Sequence, residues 1–384
     1  MTSLTTSPFL GARRPVCGRI DFGFLFAALT LPFALNLPGQ SAVEVFAGTG
    51  TAGSTGDGGP ARLAQVNQPF GLARARDGAL WFADYEAHQV RRIARDGIIS
   101  TVVGTGRQAY TGDGGPALNA SLNNPHEVQF DHEGNLYIAD AGNNAIRRLD
   151  AKSGLLTTFA GTGKPGYSGD NGPASSARLN SPISLQFSPQ GDLFIADIGN
   201  HVIRRVNPKT GIIATFAGSG HAGPTPDGSS IAGTPLNGPR SLDFDASGNL
   251  WLVTREGNQV LKFDLAAQII HLIAGTGRKG FTGDGGPALN ATFAGPKNVA
   301  AAPNGDVYVA DTDNDAIRRL NLKLGTVELV AGGTQPLARA LGEGESSLKL
   351  HHPHGVLVDS DGTVYISDSA NHRILVLKPA TTAH

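Results

Sequence analysis

The chain has 384 residues, 40% of them hydrophobic, enough to bury a sizeable core in one large domain or in two to three ordinary ones. Its 31 basic and 32 acidic side chains nearly cancel, so net charge gives no ground for a nucleic acid or an anionic membrane surface as partner. The 52 glycines and 23 prolines argue against a fold built on long helices and favour short strands joined by turns.

Residues 1–42 differ in character from the rest of the chain. Arg13, Arg14 and Arg19 precede an apolar run from Phe22 to Leu37, and "PGQSA" then ends in small residues. Basic, then apolar, then small is the order of a secretory signal peptide, and it predicts cleavage near Ser41 or Ala42. A retained membrane anchor is the alternative, because the run approaches the ~20 residues that span a bilayer. Pro32 inside the run favours cleavage. Removal would take away Cys17, the one cysteine, leaving neither disulfide nor thiolate chemistry, with 28 basic against 31 acidic side chains. The expected destination is extracytoplasmic, periplasmic or secreted.

Beyond that segment the chain repeats itself. "TGDGGPALNA" occurs at Thr111–Ala120 and again at Thr282–Ala291, 171 residues or three times 57 later. A second motif recurs as "LWFADYEAHQVRRI" from Leu80, "LYIADAGNNAIRRL" from Leu136, "LFIADIGNHVIRRV" from Leu193, "LWLVTREGNQVLKF" from Leu250, "VYVADTDNDAIRRL" from Val307 and "VYISDSANHRILVL" from Val364. The spacing is 56 once and 57 four times. Each unit holds four short apolar runs with turn residues between them, as in "HEVQFD", "NLYIAD", "AIRRLD" and "LLTTFA" of the second. Repeated radially, such a meander is the blade of an all-β, six-bladed β-propeller with four antiparallel strands per blade. The predicted propeller covers residues 43–378, with a tail at 379–384. The last unit lacks its fourth strand, and "VEVFAG" (Val43–Gly48) matches what is missing. It is expected to pair with His372–Lys378 and close the ring, removing two open sheet edges.

"PHEVQFDHEGNLYIADAGNNAIRR" and "PHGVLVDSDGTVYISDSANHRI" resemble NHL repeats, and the "AGTG…GDGGPA" connectors are similar to those of exported bacterial NHL-repeat proteins. The resemblance spans residues 43–378 and implies a six-bladed propeller, in agreement with the count. The family includes scaffolds, ligand binders and a few lyases, so fold alone does not select a function.

Several motifs imitate chemistry. Gly275, Gly277 and Gly280 have the G-x-G-x-x-G spacing of a dinucleotide site, but the pattern recurs in four connectors without a βαβ unit, so the glycines are read as turn formers. Asp57, Asp113, Asp170, Asp227 and Asp284 recur in the connectors and are expected to cap free amides of the turns, with calcium as the alternative ligand. "DTDNDA" from Asp311 imitates an EF-hand start but lacks its later ligands. Arg147, diagonal to Asp140 across a four-residue turn, predicts an ion pair between strands; Thr254 and Leu261 replace both partners in the fourth unit, whereas the sixth keeps Asp368 opposite Leu375.

Function is expected where the units differ. The residue after each unit's proline begins the innermost strand and should line the channel mouth: Phe70, His126, Ile183, Arg240, Lys297 and His354, followed by Gly71, Glu127, Ser184, Ser241, Asn298 and Gly355. The ligand-binding candidates are His126, Glu127, Arg240, Lys297 and His354, with His351 and His352 nearby in sequence, and Arg240 with Lys297 suits an anion. The resemblance also implies a metal alternative, since the peptide-amidating lyase of this fold holds zinc on histidines placed like His126 and His354; here Arg240 stands at the third such position. The expected function is a binding or scaffolding module for a protein, peptide or small molecule at the top face, needing no cofactor, binding no nucleic acid, and keeping no stable membrane span after cleavage. The alternative is a metal-dependent lyase or lactone hydrolase, with zinc or calcium on His126 and His354. There is no G-x-S-x-G elbow to supply a serine nucleophile.

Overall fold

The computed structural model describes residues 43–333 and 349–379; the expected leader over 1–42 and the tail from 380 onward lie outside the described residues. Six antiparallel sheets form, one per sequence unit, each running from an inner to an outer strand. The second blade is typical: Pro125–Phe130, Leu136–Asp140, Ala145–Leu149 and Leu155–Ala160. Its second strand is buried along its whole length because both faces pack on neighbouring blades, whereas its outer strand alternates and reaches solvent.

Val43–Ala47 forms the outer strand of the sixth blade, with Val43 opposite Leu377 and Val45 opposite Leu375. The ring is therefore closed by its first strand. Across the same seam, Arg74 pairs with Asp359 at 2.6 Å and the Ser367 hydroxyl donates to the Phe70 carbonyl at 2.5 Å.

The connectors add a feature that four strands per blade did not anticipate. Gly115–Pro116, Gly172–Pro173 and Ser229–Ser230 each pair with the outer strand of the blade they lead into, giving those three sheets a fifth, two-residue strand. A single 3-10 turn follows, Ala117–Asn119 in the second blade, with Pro116 just before it. Ala117, Ala120 and Leu122 are buried, but Leu118 stays exposed, so the apolar residues of "ALNASL" divide between core and solvent. Gly112 has φ +90°, and a Cβ there would lie 2.4 Å from the Ala120 Cα. Gly161 of the supposed dinucleotide motif has φ +92°, with a Cβ position 2.4 Å from the Asn144 carbonyl. Close packing of backbone on backbone accounts for both glycines.

Five of the six blades are organised around an aspartate that ends the second strand, the fourth having Thr254 there. Asp140 accepts the Asn123 backbone N–H at 2.7 Å, the Asn143 side-chain amide at 2.8 Å and the Arg147 guanidinium at 3.3 Å. Asp197 and Asp311 repeat the arrangement with Asn200 and Arg204, and with Asn314 and Arg318. Burial raises the pKa of all three carboxyls, and these donors are what favour the ionised form.

The connector aspartates correct the sequence expectation. Asp57, Asp113, Asp170 and Asp284 do not cap the 3-10 turns, whose caps have no side-chain hydrogen bond. They pair instead with the fully buried Arg91, Arg147, Arg204 and Arg318, at 2.5 to 3.1 Å. A buried guanidinium needs this many acceptors to remain charged at tolerable cost, and the same contact ties each connector to its blade. This is why the decapeptide is repeated.

Candidate functional site

Inner-strand starts, second-strand ends and connectors all lie at one end of the ring, because Pro125 pairs with Asp140 and each connector leads directly into an inner strand. There His126, Arg240, Lys297 and His354 come together in two pairs. Arg240 Nη2 lies 2.7 Å from His126 Nε2, and Lys297 Nζ lies 3.1 Å from His354 Nε2. Guanidinium and ammonium can only donate, so both imidazoles present a lone pair at Nε2 and carry their proton on Nδ1. His354 Nδ1 donates to the His352 carbonyl at 2.9 Å, which fixes that tautomer.

Phe70 holds the pairs together. Its ring stacks on His354 at 4.0 Å and on Tyr85 at 4.2 Å and meets His126 edge-on at 4.8 Å. Phe70, His126, Ile183 and Arg240 are buried, while Lys297 and His354 are half-buried and give the mouth its solvent-facing side. Burial, reinforced by Arg240 for His126 and by Lys297 for His354, keeps both histidines neutral well below the ordinary imidazole pKa. Burial also lowers Arg240 to about 10 and Lys297 to about 8. Each cation is thus hydrogen-bonded to a neutral partner instead of an acid.

Glu127 sits one residue further in. Burial raises its pKa to about 8 despite the neighbouring Ser184 hydroxyl. Gly71 of the preceding blade presses on it, since a Cβ at Gly71 would fall 2.8 Å from the Glu127 Cα. The rest of this second ring stitches blade to blade: Ser184 accepts the Leu242 N–H, Ser241 the Val299 N–H and Asn298 the Val356 N–H. These polar residues hold the barrel of inner strands together. His351 is exposed and gives its backbone N–H to Asp368, while His352 gives its own to Asp315. Tyr85 is a member of the site that sequence reasoning misses. It occupies the position after the second-strand aspartate, which reads Ala141, Ile198, Arg255, Thr312 and Ser369 elsewhere and so also differs in every unit.

His126 and His354 do not fit a metal. Their free lone pairs point at Arg240 and Lys297, which would repel a divalent ion, and among the described residues no three His, Cys, Asp or Glu side chains gather as a ligand set. In "DTDNDA", Asp311 is held by Arg318, Asp313 by Lys279 at 2.8 Å and Asp315 by the His352 N–H.

The NHL repeat model matches residues 350–377, and the model for the Teneurin NHL domain matches residues 38–111. The chain carries NHL-repeat sequence on a six-bladed β-propeller. NHL repeat-containing protein 2 of Bos taurus is 27% identical to this propeller over 286 residues, covering 67% of the chain but only 39% of that protein's own length. An auxiliary nutrient binding protein from Bacteroides thetaiotaomicron superposes with a TM-score of 0.63 at 16% identity, over 89% of this chain and 77% of that one. A gluconolactonase from Xanthomonas campestris does so with a TM-score of 0.54 at 14% identity, over 82% and 87%. At these identities the likeness is one of fold, and binders and enzymes share it.

Proposed function

We propose that this NHL propeller is a binding module that takes an anionic group of a small molecule, peptide or protein at the channel mouth on its top face. The observation that carries this reading is the pairing of Arg240 and Lys297 with neutral imidazoles, which among the described residues leaves two positive charges without a carboxylate partner in hydrogen-bond contact. Phe70 and Tyr85 supply an aromatic wall beside them. The competing reading, a metal-dependent lyase or lactone hydrolase on the same residues, draws support from the shared fold but not from the donor set. Isothermal titration with citrate and with inorganic phosphate tests the proposal. Saturable binding at or below about 1 mM, weakened at least about tenfold by Lys297→Met or Arg240→Met, is expected. An absence of saturable binding, or indifference to both substitutions, overturns it.

On the order of its first 42 residues we also propose that the module works outside the cytoplasm. No helix among the described residues is long and apolar enough to cross a membrane. Sequencing the N-terminus of the exported product should find it near Ser41 or Ala42; an intact leader on membrane-bound protein would favour the anchor.

A further inference from the structure

The fourth blade lacks a side-chain cluster that its neighbours contain. In blades two, three and five an aromatic ring from the incoming connector lies over the buried third-strand arginine: Tyr110 on Arg147 at 5.0 Å, Tyr167 on Arg204 at 5.4 Å and Phe281 on Arg318 at 5.3 Å. A glycine backs each ring, with the Cβ position of Gly163, Gly220 and Gly333 only 2.6, 3.3 and 2.7 Å from it. The ring's chemistry follows one residue of the outer strand. Tyr110 and Tyr167 hydrogen-bond Thr158 and Thr215 at 2.7 and 2.8 Å, whereas Phe281 has Leu329 at the matching position.

Counting on by 57, the fourth blade puts Pro224 where the ring should be, Leu261 for the arginine and Leu272 for the threonine. It also has Gly257 where Asn143, Asn200 and Asn314 tether the connector through a carbonyl at 2.8 to 2.9 Å. Without the asparagine, the guanidinium and the ring, the connector around Pro224 lacks the side-chain contacts that draw its sisters onto their blades, and it is held further along, where Asp227 accepts the Leu272 N–H at 2.9 Å and Ser229–Ser230 pairs with the outer strand. A cleft of about 650 Å³ opens there, lined by Pro224, Gly257, Leu272 and Gly277 together with the exposed Glu256 and Arg278. A Cβ at Gly277 would meet no ring, only the Gly257 carbonyl at 3.6 Å and Gln259 at 3.8 Å.

We propose that this cleft binds a phenylalanine side chain of an incoming peptide, in the place that Phe281 fills from within the chain one blade later. Leu272 offers a phenolic hydroxyl no partner, so the ring it accepts is the unsubstituted one, as Leu329 accompanies Phe281. A peptide is the natural carrier because in the sister blades the ring arrives on main chain that runs straight into an antiparallel bridge, at Thr111, Ser168 and Thr282, and the cleft is larger than one ring. This site is separate from the channel mouth and stands without it.

The test uses the whole protein, with N-acetyl-phenylalaninamide and N-acetyl-tyrosinamide as probes followed by NMR or calorimetry. The phenylalanine probe should bind saturably in the millimolar range and the tyrosine probe about tenfold more weakly. Pro224→Tyr should fill the cleft and abolish binding, and Leu272→Thr should reverse the preference towards tyrosine. Lys297→Met should leave both probes unaffected, which separates this result from the fate of the anion site. Equal affinity for the two probes, no saturable binding, or binding that survives Pro224→Tyr with its preference unmoved by Leu272→Thr overturns the proposal.

Discussion

Arg373 donates to Asp368 across 2.7 Å in the sixth blade, doing from two positions earlier in its strand what Arg147 does for Asp140 in the second. By sequence, the coupling between second-strand aspartate and third-strand arginine breaks at Leu375; in the structure it is relocated. Leu375 is thereby free to pack against Val45 of the closing strand.

Because Asp368 is fully buried, removing Arg373 leaves a carboxylate with too few donors. Arg373→Met should cost about 3 kcal/mol in equilibrium unfolding. Asp368→Asn should recover part of that loss in the double variant, with a coupling of about 1 to 3 kcal/mol. Additive effects would mean that the pair does not act as a unit.

The period carried most of the fold. Six copies of one motif fixed the blade count, the strand order and the role of Val43–Gly48, because a β-meander's polar groups and alternation recur with every unit. The mouth was legible for the same reason inverted: His126, Arg240, Lys297 and His354 stood out as positions where units disagree. What sequence could not show was pairing in space. That Asp113 grips Arg147, 34 residues on, and that Ser184 is spent on a neighbouring N–H, are tertiary facts without a local signature. The fourth-blade cleft was hidden because an absence, Pro224 for a tyrosine, means something only once Tyr110 and Tyr167 are seen to fill a space.

Ring closure gives a second prediction. A chain beginning at residue 49 loses the buried Val43 and Ala47 and bares the edge of Arg373–Leu377. It should melt lower and self-associate on size-exclusion chromatography, since an unpaired strand edge recruits another. A synthetic Val43–Gly48 peptide should restore part of the melting temperature by adding the strand in trans. An unchanged melting point for the truncated chain would show that the seam is held elsewhere.

Glu127 predicts a pH-dependent stability. Its pKa is about 8 in the folded protein and near 4.5 when exposed, so between those values the native state holds more protons than the unfolded one. Stability from this group is then fullest at low pH and declines as pH rises towards 8. Glu127→Gln should therefore gain on the wild type as pH rises, by an amount on the order of a few kcal/mol between pH 5 and pH 9 in denaturant titrations. A difference that does not change with pH would place the carboxyl in a wetter setting.

Lys297 sets the opposite face of the same chemistry. Burial holds its pKa near 8, Arg240, Arg255 and Lys279 push in the same direction, and Asp313 works against them. The ammonium is full below about pH 7, where Glu127 is neutral and His354 offers only a lone pair, so an anion at the mouth meets two cations and no acid in contact. As pH climbs through 8 the ammonium empties and Glu127 ionises behind Arg240, and both changes weaken anion binding. Citrate affinity should accordingly fall about tenfold or more between pH 7 and pH 9, and Lys297→Arg, which stays charged, should lose much less of it. A wild-type affinity that is level across this range, or a Lys297→Arg profile that falls as steeply, would remove Lys297 from the site, leaving Arg240 as the sole anchor for charge.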